Sequence, residues 1–219
     1  MMNGNTQRGT ARILKCSRHT VEKKLLWLKK HHAKEKFIFS QHLQIDAMET
    51  IEHTKLKPLT IPICVDADYK IVATEIGRIN AKGHLAAISL KKYGPRPNEL
   101  ESSLRNLLLK LKTRAPHPLT ITTDSHPLYP KLIKEFFPLS EHIQVSSRDK
   151  LQKHRELIYS SQRKKIFDPM FALNQRCAML RADLRRLTRR SWCTTKNIEN
   201  LKSQLELYAI FNNQKLQPT

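Results

Sequence analysis

Leu43-Gln-Ile-Asp-Ala47 sets apolar side chains at every second position, with Gln44 and Asp46 on the opposite face. That two-residue period predicts a half-buried strand. Runs from Leu59 to Val65 and from Ile71 to Ile79 follow after short connections and predict three antiparallel strands. Asp66-Ala-Asp68, between the second and third runs, is turn chemistry, so its carboxylates read as structural, with metal ligation as a backup role.

Working outward, Leu100, Leu104, Leu107, Leu108 and Leu111 recur at helical spacing after Pro97-Asn98. Leu119 to Asp124 then alternates as a strand that Pro127 and Pro130 end. A short helix near Lys131 to Phe137 and a strand at His142 to Val145 complete the order β-β-β-α-β-α-β. This is the element order of the ribonuclease H fold. The expected class is therefore α/β, an RNase H-like, retroviral-integrase-like core with a mixed five-stranded sheet. In that fold the first and fourth strands are neighbours, which would bring Asp46 and Asp124 together.

The flanks differ from the core. Arg8 to Leu28 reads as two short helices around a turn, with Ser17 as N-cap and Val21, Leu25 and Leu28 as a buried stripe. Such a helix-turn-helix leaves Arg18, His19, Thr20, Lys23 and Lys24 to a major groove, with Arg12 beside them; a solvated basic helix is the alternative. Residues 146 to 168 are polar and basic without periodicity and read as a loop. Leu173, Cys177, Leu180, Leu184 and Leu187 predict one long helix whose other surface carries Arg181, Arg185 and Arg189, either a DNA track or a solvated face. A last helix runs from about Lys196 to Phe211, with Glu199 in its first turn, where the helix dipole alone would also favour an acid. The expected organisation is a DNA-binding arm over residues 1–36, a catalytic core over 37–147, and a basic loop with C-terminal helices over 148–219.

Forty Lys and Arg against nineteen Asp and Glu give a formal charge of +21, which calls for a polyanionic partner. The excess lies in the flanks: residues 1–40 hold ten bases against Glu22 and Glu35, and residues 148–202 hold fifteen against five acids. Duplex DNA gripped from two sides by its phosphates fits that division. No run approaches the roughly 18 to 20 apolar residues that span a bilayer, and no apolar signal region opens the chain, so a cytoplasmic, nucleoid-associated protein without a membrane partner is expected. Cys16, Cys64, Cys177 and Cys193 form no CxxC pair and read as small buried thiols; their spacing argues for neither a zinc ribbon nor a disulfide framework.

Phosphodiester transfer without a covalent intermediate uses a pair of divalent cations held by three or four carboxylates. Mg²⁺ or Mn²⁺, with oxygen ligands, suits such a set better than a soft metal. The informative signal is placement: one carboxylate in the middle of the first strand, one ending the fourth, and one on a late helix.

Gln44-Ile-Asp-Ala-Met48, Ile121-Thr-Thr-Asp-Ser125 and Arg190-Ser-Trp-Cys-Thr-Thr-Lys-Asn-Ile-Glu-Asn-Leu201 resemble the DDE transposases of the insertion-sequence-one family, over nearly the whole chain. The resemblance implies that Asp46 and Asp124 are the catalytic, metal-binding aspartates. Asp168-Pro-Met-Phe-Ala-Leu-Asn174, leading into Trp192-Cys-Thr-Thr-Lys196, places the third role on Glu199, with Glu206 as fallback. Ala81-Lys-Gly-His-Leu-Ala-Ala and Lys91-Lys-Tyr-Gly-Pro-Arg96 also resemble the family, so Lys82, His84, Lys91, Lys92 and Arg96 line a DNA channel or form an ordinary basic loop. Two departures stand out: Ala47 where an acid often follows the first Asp, and no N-terminal zinc ribbon, as in a truncated or frameshift-separated reading frame. The expected activity is cleavage at insertion-sequence ends and strand transfer into target DNA by a homo-oligomer. A DNA-binding regulator and an RNase H-like nuclease without strand transfer are the alternatives.

Overall fold

The computed structural model describes residues 4–32, 35–117, 119–146, 168–188 and 193–217. At its centre is a mixed sheet. Strands β1 (His42–Glu52), β2 (Thr54–Asp66) and β3 (Ile71–Thr74) run antiparallel in sequence, and β5 (Thr120–Asp124) and β6 (Glu141–Val145) add parallel to β1. The order is β3-β2-β1-β5-β6, with the two-residue β4 (Gly77–Arg78) paired to β2. The first and fourth long strands are thus neighbours, as an RNase H-like core requires.

The sheet has six strands where five are expected, because the run from Ile71 to Ile79 is interrupted. Across the gap between β3 and β4 the register is kept, with Ile63 facing Thr74 and Thr60 facing Gly77; the slip lies earlier, where Cys64 faces Ala73 and Val65 faces Ile71. The cause of the interruption is proline in β2. The Glu75 and Ile79 amides donate to the carbonyls of Pro62 and Pro58, and neither proline has an N–H to return the bond. Gly77 fits because a Cβ there would lie 2.7 Å from the Glu99 carbonyl oxygen.

Helices cover both faces. Leu43, Ile45 and Ile121 point to one face, where α4 (Leu100–Arg114) and α5 (Leu128–Phe136) bring Leu104, Leu107, Leu111, Leu132 and Ile133. Met48, Ile61 and Ile63 point to the other, packed by Leu173 and Leu180 of α6 (Phe171–Asp183) and by Leu201, Leu205 and Tyr208 of α7 (Ile198–Lys215). Each such Leu or Ile contributes about 1.5–3 kcal/mol on full burial, so two apolar seams fix the sheet between its layers.

Several expectations are corrected. The helix predicted through Leu187 ends at Asp183: Leu184 turns to φ −105°, ψ 100°, and a 3-10 turn, Arg185–Leu187, follows. Leu184 and Leu187 stay buried, so the heptad-like spacing survives without one continuous helix. Gly4 donates its amide to the Asp183 carbonyl, and the Tyr208 hydroxyl donates to the Asp183 carboxylate, which together hold the break. Residues Leu85–Tyr93, in the stretch left between a DNA channel and an ordinary basic loop, form a helix, α3.

At the N-terminus α1 (Gln7–Ile13) and α2 (Arg18–His32) meet at a turn through Lys15, whose φ is +49°. Ser17 Oγ accepts the Thr20 amide, the expected cap. This pair packs on α7: Lys29 bridges Glu206, and Asn200 Nδ2 donates to Glu22. Asp66-Ala-Asp68 is a turn, as read. The Asp66 carboxylate is buried and accepts the Ser40 and Lys70 amides.

Candidate active site and basic groove

The parallel register of β1 and β5 pairs Gln44 with Thr122 and Ile45 with Thr123. One step further, Asp46 and Asp124 stand opposite one another on the same face. Both line a cavity of about 340 Å³ with Glu49, Asn80, Lys82, Asn98, His126 and Tyr129. Asp124 Oδ1 accepts the His126 amide, which fixes the turn where Pro127 starts α5. Asp46 Oδ1 accepts the Ala47 amide at 2.6 Å.

The charge of the pair is felt by its neighbours. Burial raises the Tyr129 phenol well above its ordinary range, and Asp46 and Asp124 raise it further. Burial likewise pushes the Cys177 thiol of α6 up to about 11, with Asp46 adding to it. His142 stands behind β5, its Nε2 2.9 Å from Thr123 Oγ1, and burial lowers its pKa. Asn80, Asn98, His126 and Tyr129 were missed in the sequence. Only the Ser-His-Pro sequence after Asp124 offered a cue.

Glu199 is exposed in the first turn of α7 and does not line this cavity; its neighbours Asn197 and Asn200 line a different one. Glu206 is paired with Lys29. Among the described residues no three His, Cys, Asp or Glu side chains are grouped closely enough to hold a metal ion. Asp46 and Asp124 thus share a cavity that Glu199 does not line.

The predicted DNA contacts divide. Arg12, Arg18 and Arg185 line a trough of about 510 Å³ with Arg8, Arg186 and Lys196, six bases and no carboxylate. Thr20 and Lys24 instead line an apolar cavity between α2 and α7, so the predicted recognition face of α2 is split, while His19 and Lys23 are exposed. Lys82 pairs with Glu49 at the rim of the carboxylate cavity, and His84, Lys91 and Lys92 are exposed around α3. Arg96 is turned inward. Its side chain is 9% exposed and paired with Glu52, so it anchors the loop after α3 and does not face a groove. Arg181 is half-buried on α6, with a buried Nε, and Arg189 lies outside the described residues. With α6 broken at Leu184, the predicted arginine ladder is not one helix face.

No family model matches the chain, and no curated protein matches it. Among solved structures it is similar to the HTLV-2 integrase catalytic core domain, described in complex with magnesium in a dimeric form. The two are 12% identical with a TM-score of 0.31, over 67% of this chain and 88% of that one. No described helix is long and apolar enough to cross a membrane.

Proposed function

We propose that the chain is a DNA strand-transfer enzyme of the DDE transposase kind, which cleaves phosphodiester bonds at element ends and joins them to target DNA. The observation that supports this most is the placement of Asp46 and Asp124 one step beyond the last paired residues of two parallel strands, lining one cavity of a chain that also carries a trough of six bases. The sequence resemblance to the insertion-sequence-one family supports the finer reading.

The donor set suits Mg²⁺ or Mn²⁺: Asp46 and Asp124 supply hard oxygens, Asn80 and Asn98 add polar side chains to the lining, and neither Cys nor a His cluster lines the cavity. A magnesium ion is commonly held by one or two carboxylates together with substrate phosphate, so the pair can hold one ion. Glu199, or an equivalent carboxylate, would be needed for a second. When bound, the metal supplies an activated oxygen nucleophile and neutralises charge on the leaving oxygen.

The chain's own groups do the rest. Asp46 and Asp124 concentrate negative charge where the cation must sit, and the turn of His126 holds the Asp124 carboxylate in place. Lys82 and the bases of the trough attract and orient the phosphate backbone. Association of two copies on DNA and a nucleoid location belong to the same proposal.

The test is incubation of the purified chain with candidate element ends, a second duplex and Mg²⁺. Joined products support the transposase reading. Cutting without joining would favour the nuclease, and binding without either would favour the regulator.

A further inference from the structure

The carboxylate cavity and the six-base trough lie at opposite ends of the basic surface, and the residues between them connect the two. The carboxylate cavity shares Glu49, Asn80 and Lys82 with a neighbouring cavity of about 320 Å³ that also holds Lys55. That middle cavity shares Arg186, Cys193 and Thr194 with the trough. The three hollows therefore adjoin as a candidate groove, from Asp46 and Asp124 past Lys55 and Arg186 to Arg8 and Arg12.

We infer that this groove is a single track for one duplex DNA, with the scissile phosphate at the carboxylates and the flanking duplex seated in the trough of α1, α2 and the 3-10 turn. The inference rests on the proposed function for the identity of the polyanion and adds its path. Charge carries it. Among the described residues no ion pair joins Arg8, Arg12, Arg18, Lys55, Arg186 or Lys196 to a carboxylate, although they stand close enough to line common hollows. Arg186, at the junction, is partly desolvated; burial lowers its pKa, Glu22 opposes the shift and Arg18 adds to it by a smaller amount. Like charges gathered this way repel one another, and a phosphate backbone relieves that repulsion while releasing its counterions.

The path also explains the sequence of residues 193–197. His53 donates its amide to the Thr195 carbonyl, and Thr195 bridges to Glu52 at the end of β1. This short contact pins Cys193, Thr194 and Lys196 along the groove, joining the strand that carries Asp46 to the basic trough.

The test uses the full chain carrying Asp46→Asn, without metal, so that binding is read independently of chemistry. Affinity for a fluorescent duplex is measured from about 50 to 200 mM salt. The triple variant Arg12→Gln, Lys55→Gln, Arg186→Gln should flatten the slope of log affinity against log salt by about 2.7, at about 0.9 for each lost phosphate contact. Arg12→Gln alone, at an exposed position that cannot endanger folding, should lower it by about 0.9, and Lys134→Gln on the outer face of α5 should leave it unchanged. An unchanged slope in Arg12→Gln and the triple variant would overturn the single track even if the native chain cuts DNA. A flattened slope supports the track even if the native chain proves inactive, which would count only against the proposed chemistry.

Discussion

Asn213 tests whether α7 is locked to the sheet. β3 is an edge strand, and edge backbone groups need partners. Asn213 supplies both for Ile71: its Oδ1 accepts the Ile71 amide at 2.8 Å, and its Nδ2 donates to the Ile71 carbonyl at 2.9 Å. The side chain thus stands in for one residue of a missing strand, and Asn213 is 2% exposed. Asn213→Ala would orphan two buried backbone groups. At about 1–3 kcal/mol for each, and with water able to recover some of it, the expected loss is about 3 kcal/mol. For a chain of 219 residues that corresponds to a fall in Tm of about 6–12 °C. Urea unfolding followed by circular dichroism measures it, with exposed Gln217→Ala as a control expected within about 0.5 kcal/mol of the native chain. A loss below about 0.5 kcal/mol for Asn213→Ala would refute the claim that this side chain anchors the helix.

Three further outcomes are expected. Burial raises the Asp66 carboxyl above its ordinary value, more than the Ser40 and Lys70 amides lower it. A raised acid contributes most to stability below the ordinary carboxylate range, and that contribution shrinks as pH climbs to the raised value. Urea midpoints of native and Asp66→Asn chains should therefore diverge in favour of the native chain as pH is lowered through that window, and parallel curves would contradict it. Gly77→Ala should destabilise by about 1–3 kcal/mol, since its Cβ would meet the Glu99 backbone carbonyl; calorimetry showing no change in Tm would mean the loop yields freely. Arg96→Met should cost about 1.5–3 kcal/mol by leaving the partly buried Glu52 without its charge-assisted partner, while exposed Lys91→Met should cost little; equal urea midpoints would place Arg96 in solvent after all.

Much of the core was legible because its signals are local. The alternation around Asp46 and the leucine spacing of α4 each follow from burial on one face, and the order of elements then made β1 and β5 neighbours. What was missed depends on partners distant in sequence. Pro62 breaks a ladder whose other half lies at Glu75, and Asp183 ends α6 with help from Gly4 and Tyr208, neither of which is visible from helical spacing. Arg96 read as a surface base because Glu52, its partner, is 44 residues away. At the candidate site, residue type and strand position singled out Asp46 and Asp124 as a pair, and both line one cavity, but its wall of Asn80, Asn98 and Tyr129 is assembled by the fold. Glu199 was assigned by resemblance, and its exposed first-turn position is also one that the helix dipole alone would favour.

The most direct measurement of the central claim is cleavage of DNA carrying candidate element ends by the native chain and by Asp46→Asn and Asp124→Asn. The account predicts nicking that requires Mg²⁺ or Mn²⁺, disappears with chelator and returns on adding metal. Each substitution should reduce the rate by at least about a hundredfold, on the order of 2.7 kcal/mol in the barrier, while duplex binding stays within about twofold. Undiminished cleavage in either variant, or in excess chelator, would contradict the assignment of this carboxylate pair as the metal-dependent centre.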